Sequence, residues 1–207
     1  MRKVVRRGVT LAAAAGLALT GTVLASSAAV AAPAVVVAPA AVTAQALPSY
    51  ETWIADVTAV TDTAKAYLGA RLPDKSIKAA IVFDIDNTAL ESTYHPDPFA
   101  PATPPVLALA KQAEAAGATV FFVTNRPDIL GPWTEGNLSS VGYDWGGLYM
   151  RPTFSSDPAE TIKTNARIAI EGLGYTIVAN VGNSATDLVG GHAERTFKLP
   201  DYDGQLD

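Results

Sequence analysis

The 207-residue sequence contains no cysteine, which excludes disulfides, thiolate metal sites and cysteine nucleophiles. Histidine is nearly absent as well, because His95 and His192 are the only two and cannot form a histidine-rich metal cluster. Any metal site in this chain therefore has few ligand types available besides oxygen. The length fits one domain of ordinary size with a hydrophobic core of its own.

The first 31 residues contain basic residues but no acidic one. "MRKVVRR" carries four basic residues, the stretch from Gly8 to Ala25 is almost wholly apolar, and Ala29 and Ala31 supply small side chains before a cleavage point. This pattern predicts a secretory signal peptide over residues 1–31. An uncleaved membrane anchor is the alternative, because the apolar run is long enough to span a bilayer. After cleavage we expect a secreted protein without stable membrane anchoring.

Without this segment the chain is strongly acidic. Eleven Lys and Arg remain against twenty Asp and Glu, a net charge near −9. Binding to a nucleic-acid backbone is therefore not expected, and an anionic ligand would need a local cation. Residues 32–48, "APAVVVAPAAVTAQALP", are uncharged and predict an extended tether, with a short strand in "AVVVA" as the alternative. The globular domain is expected over residues 49–207.

Helical and strand patterns alternate from residue 49 onward. A first helix after Ser49 is indicated by apolar residues at helical spacing: Trp53, Val57, Val60, Ala64 and Leu68. Strands are predicted within 79–85, 118–124, 147–152, 175–182 and 195–199, and helices within 105–116, 128–140, 158–172 and 185–189. Short, β-branched strands alternating with helices predict an α/β fold, a mostly parallel sheet with helices on both faces.

Polar residues stand at the carboxyl ends of the predicted strands, where parallel sheets bind ligands. The four main strands end in Asp84-Ile85-Asp86, Thr124-Asn125-Arg126, Arg151 and Gly182-Asn183. Three of these ends suit one anionic site. Two carboxylates one residue apart raise each other's proton affinity, and a hard divalent cation such as Mg²⁺ removes that conflict. A carboxylate can also act as a nucleophile toward phosphorus.

Other interpretations of the D-x-D pattern are weaker. A calcium-binding EF-hand loop is excluded because Ala89 stands where that loop requires Gly, and His95 where it requires Glu. Nucleotide-sugar transferases also carry D-x-D metal sites, but they are larger proteins, and this segment begins the domain's first strand. A plain polar strand terminus is the simplest alternative, and the other polar strand ends argue against it.

Four segments in order resemble the motifs of haloacid dehalogenase-like (HAD) hydrolases: "VFDIDNTAL", "FFVTNRP", "TIKTNAR" and "NVGNSATDL". The similarity extends over residues 79–199. "FVTNRP", "NLSSVGYDWGGLYMRP" and "ERTFKLPDY" more narrowly resemble secreted acid phosphatases related to plant vegetative storage proteins. The resemblance implies a Rossmann-like HAD fold with a minimal cap, because the segment between the first two motifs, residues 89–118, is too short for a large lid domain.

The resemblance also implies a role for each matching residue. Asp84 would be the nucleophile, and Asp86 the acid that protonates the leaving group and the base that later activates water. Thr124, Asn125 and Lys163 would bind the phosphoryl group. The predicted Mg²⁺ ligands are Asp84, Asp86 and Asp187, with Asn183 less certain because many relatives have Asp at that position.

The implied function is that of a secreted, Mg²⁺-dependent acid phosphatase that hydrolyses small-molecule phosphomonoesters through an aspartyl-phosphate intermediate. A phosphotransferase using the same intermediate is one alternative. A storage or phosphate-binding protein with little turnover is the other, and Asn183 is the feature that favours it. Arg126, Arg167 and His95 are weaker site candidates; Arg126 is also explained as surface charge and His95 as an ordinary loop histidine, while Arg167 lies one helical turn after Lys163 on the same face.

Overall fold

A computed structural model of the chain describes residues 46–207. The predicted signal peptide, and residues 32–45 of the predicted tether, lie outside the described residues. Leu47 packs against the hydrophobic core, and the carbonyl of Pro48 accepts a hydrogen bond from the Tyr94 hydroxyl at 2.9 Å. Contacts with the domain therefore begin two residues before the boundary predicted at residue 49.

Five helices and five strands alternate within residues 46–207: α1 (Tyr50–Arg71), β1 (Ala79–Phe83), α2 (Pro104–Ala115), β2 (Thr119–Pro127), α3 (Gly131–Ser140), β3 (Gly147–Arg151), α4 (Ala159–Gly172), β4 (Thr176–Gly182), α5 (Ala185–Leu188) and β5 (Thr196–Lys198). The strands form one sheet in the order β3-β2-β1-β4-β5, and every neighbouring pair is parallel. The predicted α/β fold with a parallel sheet is confirmed.

The central strands β1 and β4 are buried on both faces, as their continuous apolar sequences predict. Ile81 and Phe83 of β1 belong to the larger core, which also contains buried residues of α1 and α2. Ala80 and Val82 belong to a second core cluster, which contains Ala166 and Ile170 of α4. Successive side chains of a strand point to opposite faces of its sheet, so β1 joins the two layers of helices.

The first helix illustrates why the local sequence produces its element. The Ser49 hydroxyl accepts a hydrogen bond from the Thr52 N–H at 3.3 Å, which satisfies one of the free donors at the start of α1. The side chains that the helix buries recur three or four residues apart, so they form one stripe against the sheet: Trp53, Val57, Thr61, Ala64 and Leu68.

Two element boundaries differ from the prediction in ways that affect the site. β2 continues to Pro127 instead of ending at residue 124, so Asn125 and Arg126 lie in a strand. The predicted helix over residues 128–140 is a short 3-10 turn (Asp128–Leu130) followed by α3. α3 begins at Gly131 because Pro132, which has no N–H, is well tolerated in the first turn of a helix.

The segment between β1 and α2 is short. Residues 84–103 form turns and two isolated bridges, Asp86–Leu90 and Leu90–Ala102, without a helix or strand of their own. This agrees with the predicted minimal cap. Within residues 46–207 no helix has both the length and the apolar character needed to cross a membrane.

Candidate active site

Asp84 follows the last residue of β1 and lies at the floor of the site. Its main-chain N–H donates to the carbonyl of Val181 at 3.0 Å, which extends the pairing between β1 and β4. The residue is 6% exposed, and Oδ1 of its carboxylate accepts a hydrogen bond from Nζ of Lys163 at 2.8 Å. Burial raises the pKa of Asp84, and Lys163 opposes this rise, but Asp187 and Asp86 add to it and the pKa remains above its usual range.

Lys163 connects two buried carboxylates. It projects from α4, and its Nζ donates to Asp84 and also to Asp187. Burial lowers the pKa of Lys163, but the two carboxylates more than reverse this effect and raise it above its ordinary value. The ammonium therefore stays charged inside the protein, where a helical lysine chosen at random would be exposed to solvent.

Asp187 is held by the turn that follows β4. Its Oδ2 accepts the N–H of Ser184 at 2.8 Å, and the Ser184 side chain caps the first turn of α5 in return. Gly182 packs against this carboxylate so closely that a Cβ there would overlap the Asp187 side chain. The Gly182-Asn183-Ser184 sequence thus allows Asp187 to turn back toward Lys163.

Asp86 forms a bidentate ion pair with Arg126. Nε of Arg126 donates to Oδ2 of Asp86 at 2.8 Å and Nη2 donates to Oδ1 at 2.6 Å, while the Ser92 hydroxyl donates to Oδ1 at 2.6 Å. Burial raises the pKa of Asp86, but Arg126 and Ser92 outweigh it, so the pKa lies below its usual range. Arg126, a weaker candidate in the sequence, thus contacts the predicted acid and base directly.

Thr124 and Asn125 lie near the carboxyl end of the neighbouring strand, β2. Thr124 is buried, and its hydroxyl accepts a hydrogen bond from the N–H of Arg126 at 3.1 Å. Oδ1 of Asn125 accepts a hydrogen bond from Nε of Arg151 at 2.7 Å. Both residues line the cavity that also contains Asp84.

Asn183 lines the cavity, and both the oxygen and the nitrogen of its side-chain amide form hydrogen bonds within the protein. Its Oδ1 accepts the Thr88 hydroxyl at 2.9 Å, and its Nδ2 donates to the carbonyl of Leu206 at 2.7 Å. Asn87 donates to the same carbonyl at 2.8 Å. Sequence reasoning missed the contacts of Asn87 and Asn183 with Leu206, because no local pattern connects residues 119 or 23 positions apart in the sequence.

All but one of the residues to which the sequence assigned a catalytic, phosphate-binding or metal-binding role line a single cavity of about 480 Å³. Asp187 is the exception, and it lies directly behind the cavity in contact with Lys163. The residues that line the cavity come from the carboxyl ends of β1, β2 and β4, from α4, from the turn into α5 and from the end of the described chain: Asp84, Asp86, Thr124, Asn125, Arg126, Lys163, Asn183, Ser184, Thr186, Leu206 and Asp207.

Two of the weaker candidates lie outside this cavity. Arg167 is buried and donates to main-chain carbonyls, including those of Asp187 at 2.7 Å and Gly191 at 2.9 Å, so it fastens the loop after β4. His95 contacts Glu91 at 2.6 Å and its ring packs edge-on against Tyr50. Both side chains support the surrounding structure and do not line the cavity.

The charges of the site are unequal. Three carboxylates (Asp84, Asp86 and Asp187) lie beside two cations (Lys163 and Arg126), so one negative charge is in excess when all are ionised. A hard divalent cation would correct this imbalance, and Mg²⁺ commonly binds through one or two carboxylates with water as the remaining ligands.

The arrangement of the oxygens limits how such an ion is held. Both carboxylate oxygens of Asp86 and of Asp187 already accept hydrogen bonds, and residues 46–207 contain no group of three His, Cys, Asp or Glu placed to hold a metal. The hydrogen bond from Lys163 to the Asp84 carboxylate uses Oδ1, which leaves Oδ2 for an incoming group. The residues therefore fit an ion with few protein ligands better than a closed carboxylate cage.

Comparison with known proteins agrees with this geometry. The family model described as HAD superfamily, subfamily IIIB (acid phosphatase), matches residues 10–205. The chain belongs to this family. The resemblance found in the four sequence motifs is confirmed.

Curated plant proteins are similar over part of their length. The stem 28 kDa glycoprotein of Glycine max is 33% identical over 165 residues, covering 68% of this chain and 65% of that protein. Vegetative storage protein 1 of Arabidopsis thaliana is 32% identical over 101 residues (48% and 37% covered), and acid phosphatase 1 of Solanum lycopersicum 35% over 104 residues (49% and 41% covered). The chain thus spans less than two thirds of the curated relatives it matches.

A solved structure shares the fold. The class C acid phosphatase from Bacillus anthracis superposes with a TM-score of 0.60 at 20% sequence identity, covering 75% of this chain and 83% of that one. The predicted HAD-like α/β architecture is therefore confirmed by a structural neighbour as well as by the strand order of the sheet.

Proposed function

We propose that this chain is a secreted, Mg²⁺-dependent acid phosphatase that hydrolyses small-molecule phosphomonoesters through an aspartyl-phosphate. The observation that carries the proposal is the contact between two buried side chains, Asp84 and Lys163, at the floor of a cavity that Thr124 and Asn125 also line. Membership of an acid phosphatase family supports the reaction class.

Asp84 is the proposed nucleophile. One of its carboxylate oxygens bonds to phosphorus while the bond from phosphorus to the ester oxygen breaks, which gives an aspartyl-phosphate and an alkoxide. Lys163, at 2.8 Å, opposes the rise that burial causes in the pKa of Asp84, and it provides a fixed positive charge for the transferring phosphoryl oxygens. Thr124 and Asn125 provide hydrogen-bonding groups to the same oxygens.

Asp86 is the proposed acid and base. It gives its proton to the departing alkoxide and then takes one from the water that attacks the aspartyl-phosphate. That attack breaks the bond to Asp84 and releases inorganic phosphate. Such proton transfer contributes roughly 10²–10⁴-fold to the rate. Because Arg126 lowers the pKa of Asp86, the protonated form of this carboxyl group becomes common only in acid.

Mg²⁺, when bound, supplies the positive charge that the acidic site lacks and orients the phosphoryl oxygens. Asp84 and the main chain at Asp86 would hold it, with water as the remaining ligands. Asp187 and Asn183, the other predicted ligands, already accept hydrogen bonds from Lys163 and Thr88, respectively, and these bonds would compete with the ion. We therefore expect weak metal binding.

Hydrolysis of a chromogenic aryl phosphate tests the proposal. We expect turnover that a chelator abolishes, that added Mg²⁺ restores, and that Asp84→Asn lowers by about a thousandfold or more. Asp62→Asn is the matched control, because Asp62 is an exposed carboxylate on α1 and contacts Lys65. Retention of full activity by Asp84→Asn would exclude the nucleophile assignment. A mature N-terminus at residue 32 in the medium would support secretion.

The two alternatives predict different products. A phosphotransferase would release more alcohol than inorganic phosphate when glycerol is added as an acceptor, because glycerol would take the phosphoryl group in place of water. A storage or phosphate-binding protein would bind inorganic phosphate in calorimetry without turnover. Asn183, which brings no charge to the fourth motif, is the observation that favours this second alternative.

A further inference from the structure

The C-terminal segment, defined here as Asp201–Asp207, returns to the cavity after β5. Leu206 is buried in the main core, although its neighbours in the sequence are exposed. Its main-chain carbonyl accepts hydrogen bonds from two buried side-chain amides, Asn87 at 2.8 Å and Asn183 at 2.7 Å. One carbonyl therefore connects the end of the described chain to two of the four sequence motifs.

The backbone of this segment is held in an unusual conformation. Tyr202, Asp203 and Gly204 have successive φ angles of 50°, 57° and 81°, in the left-handed region. Residues other than glycine adopt this region at a cost in free energy, and such conformations persist only where the surroundings impose them. Here the Tyr202 hydroxyl donates to Asp56 at 2.8 Å, and the Leu206 N–H donates to the Asp201 carbonyl at 3.1 Å.

The segment also contributes to the cavity itself. Leu206 and Asp207 line the same space as Asp84, Lys163 and Asn125. A residue that is bonded to Asn87 and Asn183 and is packed in the core forms a fixed wall. Movement of this segment would therefore change the shape of the space above the Asp84 carboxylate.

Asn87 and Asn183 are well suited to this attachment. Asn87 follows Asp86 and has a φ of 53°, a left-handed conformation that asparagine tolerates better than most residues. Its Nδ2 donates to the C-terminal segment, while its Oδ1 accepts the N–H of Thr93 at 2.8 Å. Asn183 likewise has both amide atoms bonded within the protein.

We propose that the C-terminal segment is a substrate-binding wall of the cavity, and that Asn87 and Asn183 are positioning residues that hold it through the carbonyl of Leu206. The inference rests on the proposed function for the statement that the cavity binds phosphomonoesters. It gives Asn183 a role that needs no metal, because its Nδ2 donates a hydrogen bond to the carbonyl of Leu206 and its Oδ1 accepts one from the Thr88 hydroxyl.

Two variants remove the two attachments separately. Asn87→Gly deletes one amide and keeps a residue that tolerates positive φ. Asn183→Asp keeps an oxygen for Thr88 but replaces the donor to Leu206 with a second acceptor. His192→Gly is the matched control, because His192 also has a positive φ of 62° and contacts Glu171 instead of the segment.

Hydrogen exchange of the peptide that contains residues 201–207 measures the attachment without depending on turnover. We expect exchange at the amides of Leu206 and Asp207 to accelerate at least tenfold in Asn87→Gly and in Asn183→Asp, and to stay unchanged in His192→Gly. Because both amides hold one carbonyl, the effects of the two substitutions should be non-additive in the double variant. Unchanged exchange in both single variants would overturn the inference.

Steady-state kinetics with the aryl phosphate distinguish the loss of a substrate-binding surface from the loss of folded protein. Loss of a binding wall raises KM several-fold with little change in kcat, whereas a loss of folded protein lowers the apparent kcat alone. Faster exchange with an unchanged KM would reject the substrate-binding role. A wild-type protein without turnover would reject the proposed function instead. The substrate-binding wall would then be tested by adding inorganic phosphate and measuring hydrogen exchange of the same peptide. If phosphate did not slow the exchange, the inference would be rejected as well.

Calorimetric titration of Mg²⁺, together with the hydrogen exchange of residues 201–207, distinguishes a positioning role of Asn183 from a role as a metal ligand. If Asn183 is a positioning residue, Asn183→Asp should loosen the segment whether or not Mg²⁺ is present. If Asn183 is chiefly a metal ligand, the added carboxylate should tighten Mg²⁺ binding and leave the exchange of residues 201–207 as in the wild type. The second result would contradict the inference.

Discussion

Replacing Lys163 with methionine should destabilise the protein strongly. Lys163→Met keeps the length of the apolar stem and removes the ammonium that lies between Asp84 and Asp187. All three residues are at most 6% exposed, so the two carboxylates would remain buried without a cation. Breaking a buried ion pair by removing one partner typically costs about 3–5 kcal/mol, which is a large part of the stability of an ordinary domain.

The size of this loss should depend on pH. Burial raises the pKa of Asp84 above its ordinary value even though Lys163 opposes the rise. A carboxyl group whose pKa is raised by folding favours the folded state at pH below its unfolded pKa, and this contribution is lost as the pH rises through the folded pKa. Without Lys163 the pKa of Asp84 rises further, so the variant should suffer least in acid and most at neutral and alkaline pH.

Urea denaturation at about pH 5 and about pH 8 measures this difference in the free energy of unfolding. Lys65→Met is the control, because Lys65 forms an exposed pair with Asp62 and its loss should cost at most about 1 kcal/mol at either pH. Adding Asp84→Asn to Lys163→Met should recover part of the stability at about pH 8. An equal loss at both pH values would refute the reasoning, since the uncompensated charge would not be its cause.

Two further substitutions test contacts of the cavity. Arg126→Gln should raise the pKa of Asp86, because the guanidinium opposes the effect of burial on this carboxyl group. The alkaline limb of the kcat/KM profile should therefore move to higher pH. A limb that did not move would show that Asp86 is not the general acid. Gly182→Ala should cost about 1–3 kcal/mol in urea denaturation, because its Cβ would overlap Asp187. Gly172→Ala, at a site with free space, should show no such loss, and equal effects of the two would contradict the packing explanation.

Much of the site was predictable because it is local in origin. Each strand is recognisable from its own apolar residues, and parallel strands bring their carboxyl ends to one edge. Asp84 and Thr124 follow from this rule alone, and they line one cavity. Lys163 could be placed only through its position in the motif order, because its own helix gives no sign that it is buried.

Other contacts could not be read from the sequence, because they depend on how distant segments pack. The pairing of Asp86 with Arg126 joins residues forty positions apart and uses a strand that continues past its predicted end. The engagement of Asn183 with Thr88 and Leu206 depends on the return of the C-terminal segment. Nothing in the fourth motif indicates that its asparagine is bonded at both ends.

The sequence by itself determined the fold class, the order of the motifs and the chemical type of the site, because burial patterns and strand ends are local properties of the chain. The tertiary structure alone decided which cation faces which carboxylate, and which oxygens remain free for a ligand. These choices depend on distances between side chains that are far apart in the sequence. Hydrogen-bond and charge energies change steeply with such distances, so only the packed structure determines them.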